Sequence, residues 1–285
     1  MFHGQGTPNL MQNTLITVQD LSCVGRCSLS VALPVLSCLN IQCIPLPSAL
    51  LSAHTGFTVP FRKPLTGEMN DIFLHFKETL PSVDGVYIGY LAEHEQLSLM
   101  NEILSHYDNA HIFIDPVMGD NGKRYSSISE QLCDGISKLC HKADFIFPNL
   151  TEAALLLDIP YDNLPNNDAL LNMLAEKFDS SVVLTGLVDS SGNIGACALH
   201  DNNTYSAYTK MVPGKFPGTG DLFASVCVAG ILQEIDMQCI LQLATEFIYS
   251  CAKDFSGDSR YGLPFESKLN KLSNDFFALK NKENN

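Results

Sequence analysis

An alternation constrains this chain more than any single residue does. Six short β-rich runs, at residues 14–18, 41–46, 83–88, 111–114, 144–147 and 181–184, are separated by stretches with helical spacing. Strands that alternate with helices predict a largely parallel sheet with right-handed crossovers and helices on both faces. Residues 194–200 and 204–209 flank Asp201-Asn202-Asn203 and predict a hairpin that adds antiparallel strands at one edge. Helices are expected at 27–39 (kinked or late-starting because of Pro34), 68–80, 93–107, 130–140, 169–178 and near 266–279. Thr151-Glu152 opens a further helix in capping fashion, and helices are expected from Asp221 to about residue 254. No linker interrupts residues 13–280 and no internal repeat is seen, so a single α/β domain over 13–285 is expected behind a mobile tail at 1–12.

Composition narrows the partners. Of the 285 residues, 46% are hydrophobic and 17% charged, enough for a large core. The formal charge of −14 and the lack of a Lys/Arg-rich run argue against nucleic acid. No apolar run reaches membrane-spanning length, and residues 1–12 lack the plan of a secretory signal. The ten cysteines include no Cys-x-x-Cys pair, so reduced thiols in a cytoplasmic protein are expected, with no zinc site.

The chemistry is expected at Gly218-Thr219-Gly220-Asp221. Glycines let backbone N–H groups converge, and a helix that starts there adds unpaired amides and the positive end of its dipole. That is an anion hole with a carboxylate beside it. The carboxylate has a task if an alcohol must lose a proton while attacking a phosphoryl group. In open α/β sheets ligands bind beyond the carboxyl ends of the strands. The residues expected there are Asp20, then His54 and Thr55, Tyr90, Asp115 and Asp120, Asn149 and Glu152, and Thr185. Asp115, Asp120 and Glu152 would converge with Asn149 on one rim and suit Mg²⁺. Singly, each has a structural explanation: Asp115 as a turn former, Glu152 as a first-turn helix acid, His54 as a satisfied buried histidine, Asp221 as a plain helix cap.

Gly218-Thr219-Gly220-Asp221 resembles the signature of the ribokinase-like superfamily of small-molecule kinases. Four further stretches resemble its pyridoxal/pyridoxamine kinase branch: Ser52-Ala53-His54-Thr55-Gly56-Phe57, Ile88-Gly89-Tyr90-Leu91, Asp115-Pro116-Val117-Met118-Gly119-Asp120 and Pro148-Asn149-Leu150-Thr151-Glu152. The resemblance implies a ribokinase-like fold, ATP and a small aromatic alcohol as substrates, Mg²⁺ with an optional monovalent cation such as K⁺, and a homodimer. It implies Asp221 as general base and the amides of Gly218, Thr219 and Gly220 as anion hole. Asp120, Glu152 and Asp115 would lie about the metal, with Asn149, Thr185 and Tyr125 near the nucleotide. Thr55, Tyr90 and the adjacent His54 would line the ring pocket. Asp20 stands where pyridoxal kinases usually have a serine that meets the pyridine ring, and hydroxymethylpyrimidine kinases often have an acid near there. Two activities therefore stay open, phosphorylation of a vitamin B6 vitamer and of hydroxymethylpyrimidine. A catalytically silent B6-binding protein is the alternative of another class.

Overall fold

A computed structural model describes residues 12–283. The expected mobile tail falls outside the described residues apart from Gln12. The strands are β1 (Asn13–Ser22), β2 (Ile41–Leu51), β3 (Arg62–Pro64), β4 (Gly85–Ile88), β5 (His111–Ile114), β6 (Gly119–Asp120), β7 (Lys123–Arg124), β8 (Phe145–Ile146), β9 (Ser181–Val188), β10 (Asn193–His200) and β11 (Asn203–Lys210). The α-helices are α1 (Leu29–Cys38), α2 (Thr66–Thr79), α3 (Gln96–His106), α4 (Glu130–Cys140), α5 (Leu150–Leu157), α6 (Asn167–Phe178), α7 (Thr219–Leu232), α8 (Met237–Ala252) and α9 (Leu269–Glu283).

A nine-stranded sheet runs in the order β11-β10-β9-β8-β5-β4-β1-β2-β3. From β9 to β2 the neighbours are parallel, while β10, β11 and β3 are antiparallel. The expected edge hairpin is β10–β11. A second, two-stranded hairpin of β6 and β7 stands apart from the sheet. Because β2 lies on one side of β1 and β4 on the other, the order reverses at β1, and the crevice such a reversal opens is where doubly wound sheets bind ligands.

Each face of the sheet carries its own core. On one face Ile16, Val18, Val86, Ile88 and Ile114 pack with Met100 and Ile103 of α3, Leu132 of α4 and Leu170 of α6. On the other, Leu15, Tyr87, Phe113 and Phe145 pack with Val35 of α1, Val226 of α7 and Leu241 of α8. Period-two alternation along the central strands sends successive side chains to opposite cores.

Two strands are longer than their sequence suggests. Ile41–Leu51 continues through Pro45 and Pro47, because its register with β1 holds up to the Gln19–Pro47 pair and β3 reaches only Ala49–Leu51 on the other side. The two prolines have the same parity, so their missing donors face one edge. Asn13–Ser22 likewise continues past Val18, with a register shift between Gln19 and Leu21. Asp20 is therefore inside β1 and not in a loop after it. Thr185 similarly sits within β9, which pairs with β10 as far as Val188. Pro34 lies in α1, which starts at Leu29.

Candidate active site

The catalytic candidate sits at the start of α7. Gly218 is the N-cap and adopts φ +81°. A Cβ there would lie 1.9 Å from the Arg26 carbonyl oxygen, so this turn needs glycine for both its angle and its close approach. The first α-helical bond runs from the Leu222 amide to the Gly218 carbonyl, 3.0 Å. The amides of Thr219, Gly220 and Asp221 precede it and have no partner within the helix. Two of them, Thr219 and Gly220, belong with Gly218 to the expected anion-hole set, and free amides at a helix start suit an anion. The Thr219 hydroxyl ties the turn together by donating to the Phe216 carbonyl at 3.1 Å.

Asp221 is joined to Asp20 through one serine. The Ser28 amide donates to Asp221 Oδ2 at 2.8 Å, and the Ser28 hydroxyl donates to Asp20 Oδ1 at 2.6 Å. Ser28 holds φ +50°, an uncommon angle for a residue with a Cβ. The strain is met where two carboxyls must be bridged. Burial pushes the Asp221 carboxyl up to about 7 against the pull of the Ser28 amide, with Asp20 adding to the rise. Asp20 is buried, and its other oxygen accepts from the Ser22 hydroxyl at 2.8 Å. Burial raises its carboxyl above the ordinary range although both serines oppose the rise. Sequence reasoning missed Ser22, Cys27 and Ser28, which all line this corner; polar small residues before a helix carried no motif signal. The Cys27 thiol is pushed up by burial, Asp221 and Asp20, so it stays protonated.

On the opposite rim, Asn149 caps α5 in a complete capping box. Its Oδ1 accepts from the Thr151 and Glu152 amides at 2.8 and 3.0 Å, and its Nδ2 donates to the Gly119 carbonyl at 3.0 Å. Glu152 accepts from the Asn149 amide at 2.9 Å and from the Met118 amide at 3.2 Å. Burial, then Asp115, holds Glu152 well above the usual carboxylate range; burial, then Asp221, does the same to Asp115. Asp120 is exposed in the β6–β7 turn, where its oxygens take the Asn121 amide and side chain. Tyr125 is half-buried, its phenol raised by burial and the surrounding acids, and Thr185 of β9 pairs with Asn149 in a parallel bridge just beyond the end of β8.

The expected triad of metal acids is thus not assembled as a protein cage. Among the described residues no three His, Cys, Asp or Glu side chains come together as a metal site. The reason is local: both Glu152 oxygens serve backbone amides, and Asp120 folds back on its own turn. What remains is a set of buried acids with no ion-pair partner among the described residues, Asp20, Asp115 and Glu152, beside Asp221. That set fits a cation that brings most of its own oxygen ligands.

On the ring side, Tyr90 is buried, and its hydroxyl accepts from Arg62 Nε at 3.1 Å. Thr55 is exposed at the cavity mouth. His54 is buried with both nitrogens spent: Nδ1 accepts from the Gly56 amide at 3.0 Å, so Nε2 carries the proton and donates to the Arg260 carbonyl at 2.6 Å. His54 therefore pins the 52–57 loop to the segment around Arg260, and only its ring edge is left to face a ligand. Asp20, His54, Thr55, Tyr90, Asp115, Asp120, Tyr125, Asn149, Glu152, Thr185 and Gly218 to Asp221 all line one cavity of about 520 Å³.

Residues 76–262 match the family model described as phosphomethylpyrimidine kinase, which is more than half of the chain. This chain belongs to the phosphomethylpyrimidine kinase family. It is similar to a Bacteroides thetaiotaomicron protein provisionally named phosphomethylpyrimidine kinase, with 31% identity over 94% of this chain and 96% of that one and a TM-score of 0.87. The same protein has been solved with pyridoxal. Pyridoxal kinase from Lactobacillus plantarum is 27% identical, covering 92% and 97% of the two chains, with a TM-score of 0.85. A pyridoxal kinase of Dictyostelium discoideum is 27% identical over 89% of this chain and 90% of its own. The expected ribokinase-like fold and the likeness to pyridoxal kinases are borne out.

Proposed function

We propose that this protein uses ATP to phosphorylate the 5′-hydroxymethyl group of a vitamin B6 vitamer, giving the 5′-phosphate. One observation carries the reading: Asp221 lies in the first turn of a helix whose free amides suit an anion, its carboxyl pushed up to about 7 by burial, within one cavity that Asp20, Thr55 and Tyr90 also line. The relatives named pyridoxal kinase, and the neighbour solved with pyridoxal, support the ring.

Asp221 takes the proton of the 5′-hydroxyl as its oxygen approaches the γ-phosphorus. A carboxyl at about 7 accepts that proton near neutral pH far better than an ordinary aspartate would. The amides of Gly218, Thr219 and Gly220, with that of Asp221, stabilise the charge that develops on the transferred phosphoryl group. Ser28 holds Asp221 in place and keeps Asp20 turned toward it. Asn149, Thr185 and Tyr125 take the nucleotide side. Mg²⁺ would be held by Asp115, Asp120 and Glu152 largely through water, and when bound it neutralises phosphate charge. A monovalent cation such as K⁺, a homodimeric assembly and a cytoplasmic location belong to the same reading. So does a single kinase domain over residues 13–285.

Hydroxymethylpyrimidine kinase is the second reading, favoured by the family's own name and by the buried acid at Asp20. Measuring ADP release with pyridoxal, pyridoxamine, pyridoxine and hydroxymethylpyrimidine side by side separates the two. We expect a B6 vitamer to give the highest kcat/KM. A higher value with hydroxymethylpyrimidine transfers the activity to the pyrimidine, and binding of pyridoxal without ADP release points to a silent carrier.

A further inference from the structure

Arg62 lies on β3, the three-residue strand at the sheet edge, in register with Leu51 of β2. Its guanidinium makes no ion pair among the described residues, in a chain with 31 acids. It spends its donors on two neutral oxygens. Nε donates to the Tyr90 hydroxyl at 3.1 Å, and Nη2 donates to the Ala92 carbonyl. Tyr90 is 6% exposed and lines the cavity beside Asp20 and Thr55.

The backbone under Tyr90 is already fixed by other groups. The Ser48 hydroxyl donates to the Tyr90 carbonyl at 2.6 Å. The Ala92 amide donates to Gln96 Oε1 at 2.8 Å, and Gln96 Nε2 donates to the Ser48 carbonyl at 2.7 Å. This closed circuit of Ser48, Tyr90, Ala92 and Gln96 holds the main chain between β2 and α3. What it cannot hold is the far end of the tyrosine side chain. The charge-assisted bond from Arg62 does that, and it is among the stronger hydrogen bonds a neutral phenol can accept.

We infer that Arg62 is a positioning residue that locks the Tyr90 ring as a fixed wall against a flat aromatic ligand. An edge strand outside the cavity thereby sets ring affinity within it. A wall held before binding spares the ligand the entropy of ordering it. The inference rests on the proposed kinase reading only for the identity of the ring. It concerns the aromatic substrate, and so leaves nucleotide binding and the phosphoryl transfer step alone.

The experiment is a double-mutant cycle on KM. Arg62→Met and Tyr90→Phe should each raise KM for the ring substrate roughly ten-fold, about 1.4 kcal/mol. The double variant should be no worse than either single one, since both break the same bond. KM for ATP and kcat should stay within about two-fold, and Arg62→Lys should recover part of the loss because an ammonium still donates to the phenol. Additive losses, or an equal change in ATP KM or kcat, overturn the inference. If Arg62→Met does not fold, Tyr90→Phe carries the test: the same KM rise is required with a wild-type Tm. The wild type is assayed first. Absence of ADP with every B6 vitamer removes the kinase reading, and the same variants are then titrated with pyridoxal by calorimetry, where the same ten-fold loss in Kd is required. Activity with unchanged ring KM in both single variants removes this inference alone.

Discussion

At the scale of single residues, Asp221 sets activity and stability against each other. Its carboxyl rises from 3.8 to about 7, so between those values the native state binds a proton that the unfolded chain releases. The stability this group contributes is whole below about pH 4 and is lost as pH rises through about 7. In the proposed reaction activity needs the carboxylate and runs the other way. We expect kcat/KM for the ring substrate to fall about ten-fold per unit below an apparent pKa near 7. A profile flat from pH 5 to 8 would contradict this. Asp221→Asn should lower kcat roughly 10²–10⁴-fold. The same change should raise Tm at pH 8, because it removes a buried charge yet keeps an acceptor for the Ser28 amide. Of these features, the place of Asp221 at a helix start is legible from Gly-Thr-Gly-Asp, whereas its bridge to Asp20 is not, since the two acids are far apart along the chain and meet only where Ser28, just before α1, reaches both α7 and β1.

At the scale of elements, the start of α7 separates two glycines that look alike in sequence. Gly218 needs its positive φ and has no room for a Cβ. Gly218→Ala should therefore cost stability, roughly 1–3 kcal/mol, on strain alone. Gly220 has no neighbouring atom within 4 Å of a built Cβ, so Gly220→Ala should leave Tm near wild type. Helical Cβ atoms tilt toward the N-terminus, which here is the anion site. We thus expect Gly220→Ala to keep its fold and lose kcat, and denaturation curves beside kinetics would check the pair. Equal loss of Tm in both would show the turn, not the anion site, to be the common cause. The capping box at α5 teaches the converse. Thr151-Glu152 signals a helix start, and the same carboxylate that closes the capping box also faces the cavity.

At the scale of the whole molecule, charge is the unbalanced quantity. The chain carries a formal charge of −14, and its cavity collects Asp20, Asp115, Glu152 and Asp221 with no cationic partner among the described residues. We expect MgCl₂ to raise Tm more than NaCl at matched ionic strength, and ATP with Mg²⁺ to raise it more than ATP alone. Saturation at 100 times Kd would add about 2.7 kcal/mol. Chelation should reverse the gain, and equal shifts with the two salts would leave only general screening.

Local chemistry set most of the architecture before any contact was known. The alternation of β-rich and helical stretches specified the parallel sheet, the turn residues specified the edge hairpin, and the Gly-rich turn specified the start of α7, because propensity and turn geometry act over a few neighbours. The tertiary structure alone decided the rest. Continuous pairing along β1 and β2 carried both strands through loop-like and proline-bearing sequence and placed Asp20 within a strand. Burial, a property of the whole packed chain, pushed the Asp221 carboxyl up to about 7. Arg62 reached Tyr90 only because an edge strand folds back beside β2, a contact between residues 28 apart that no local pattern encodes.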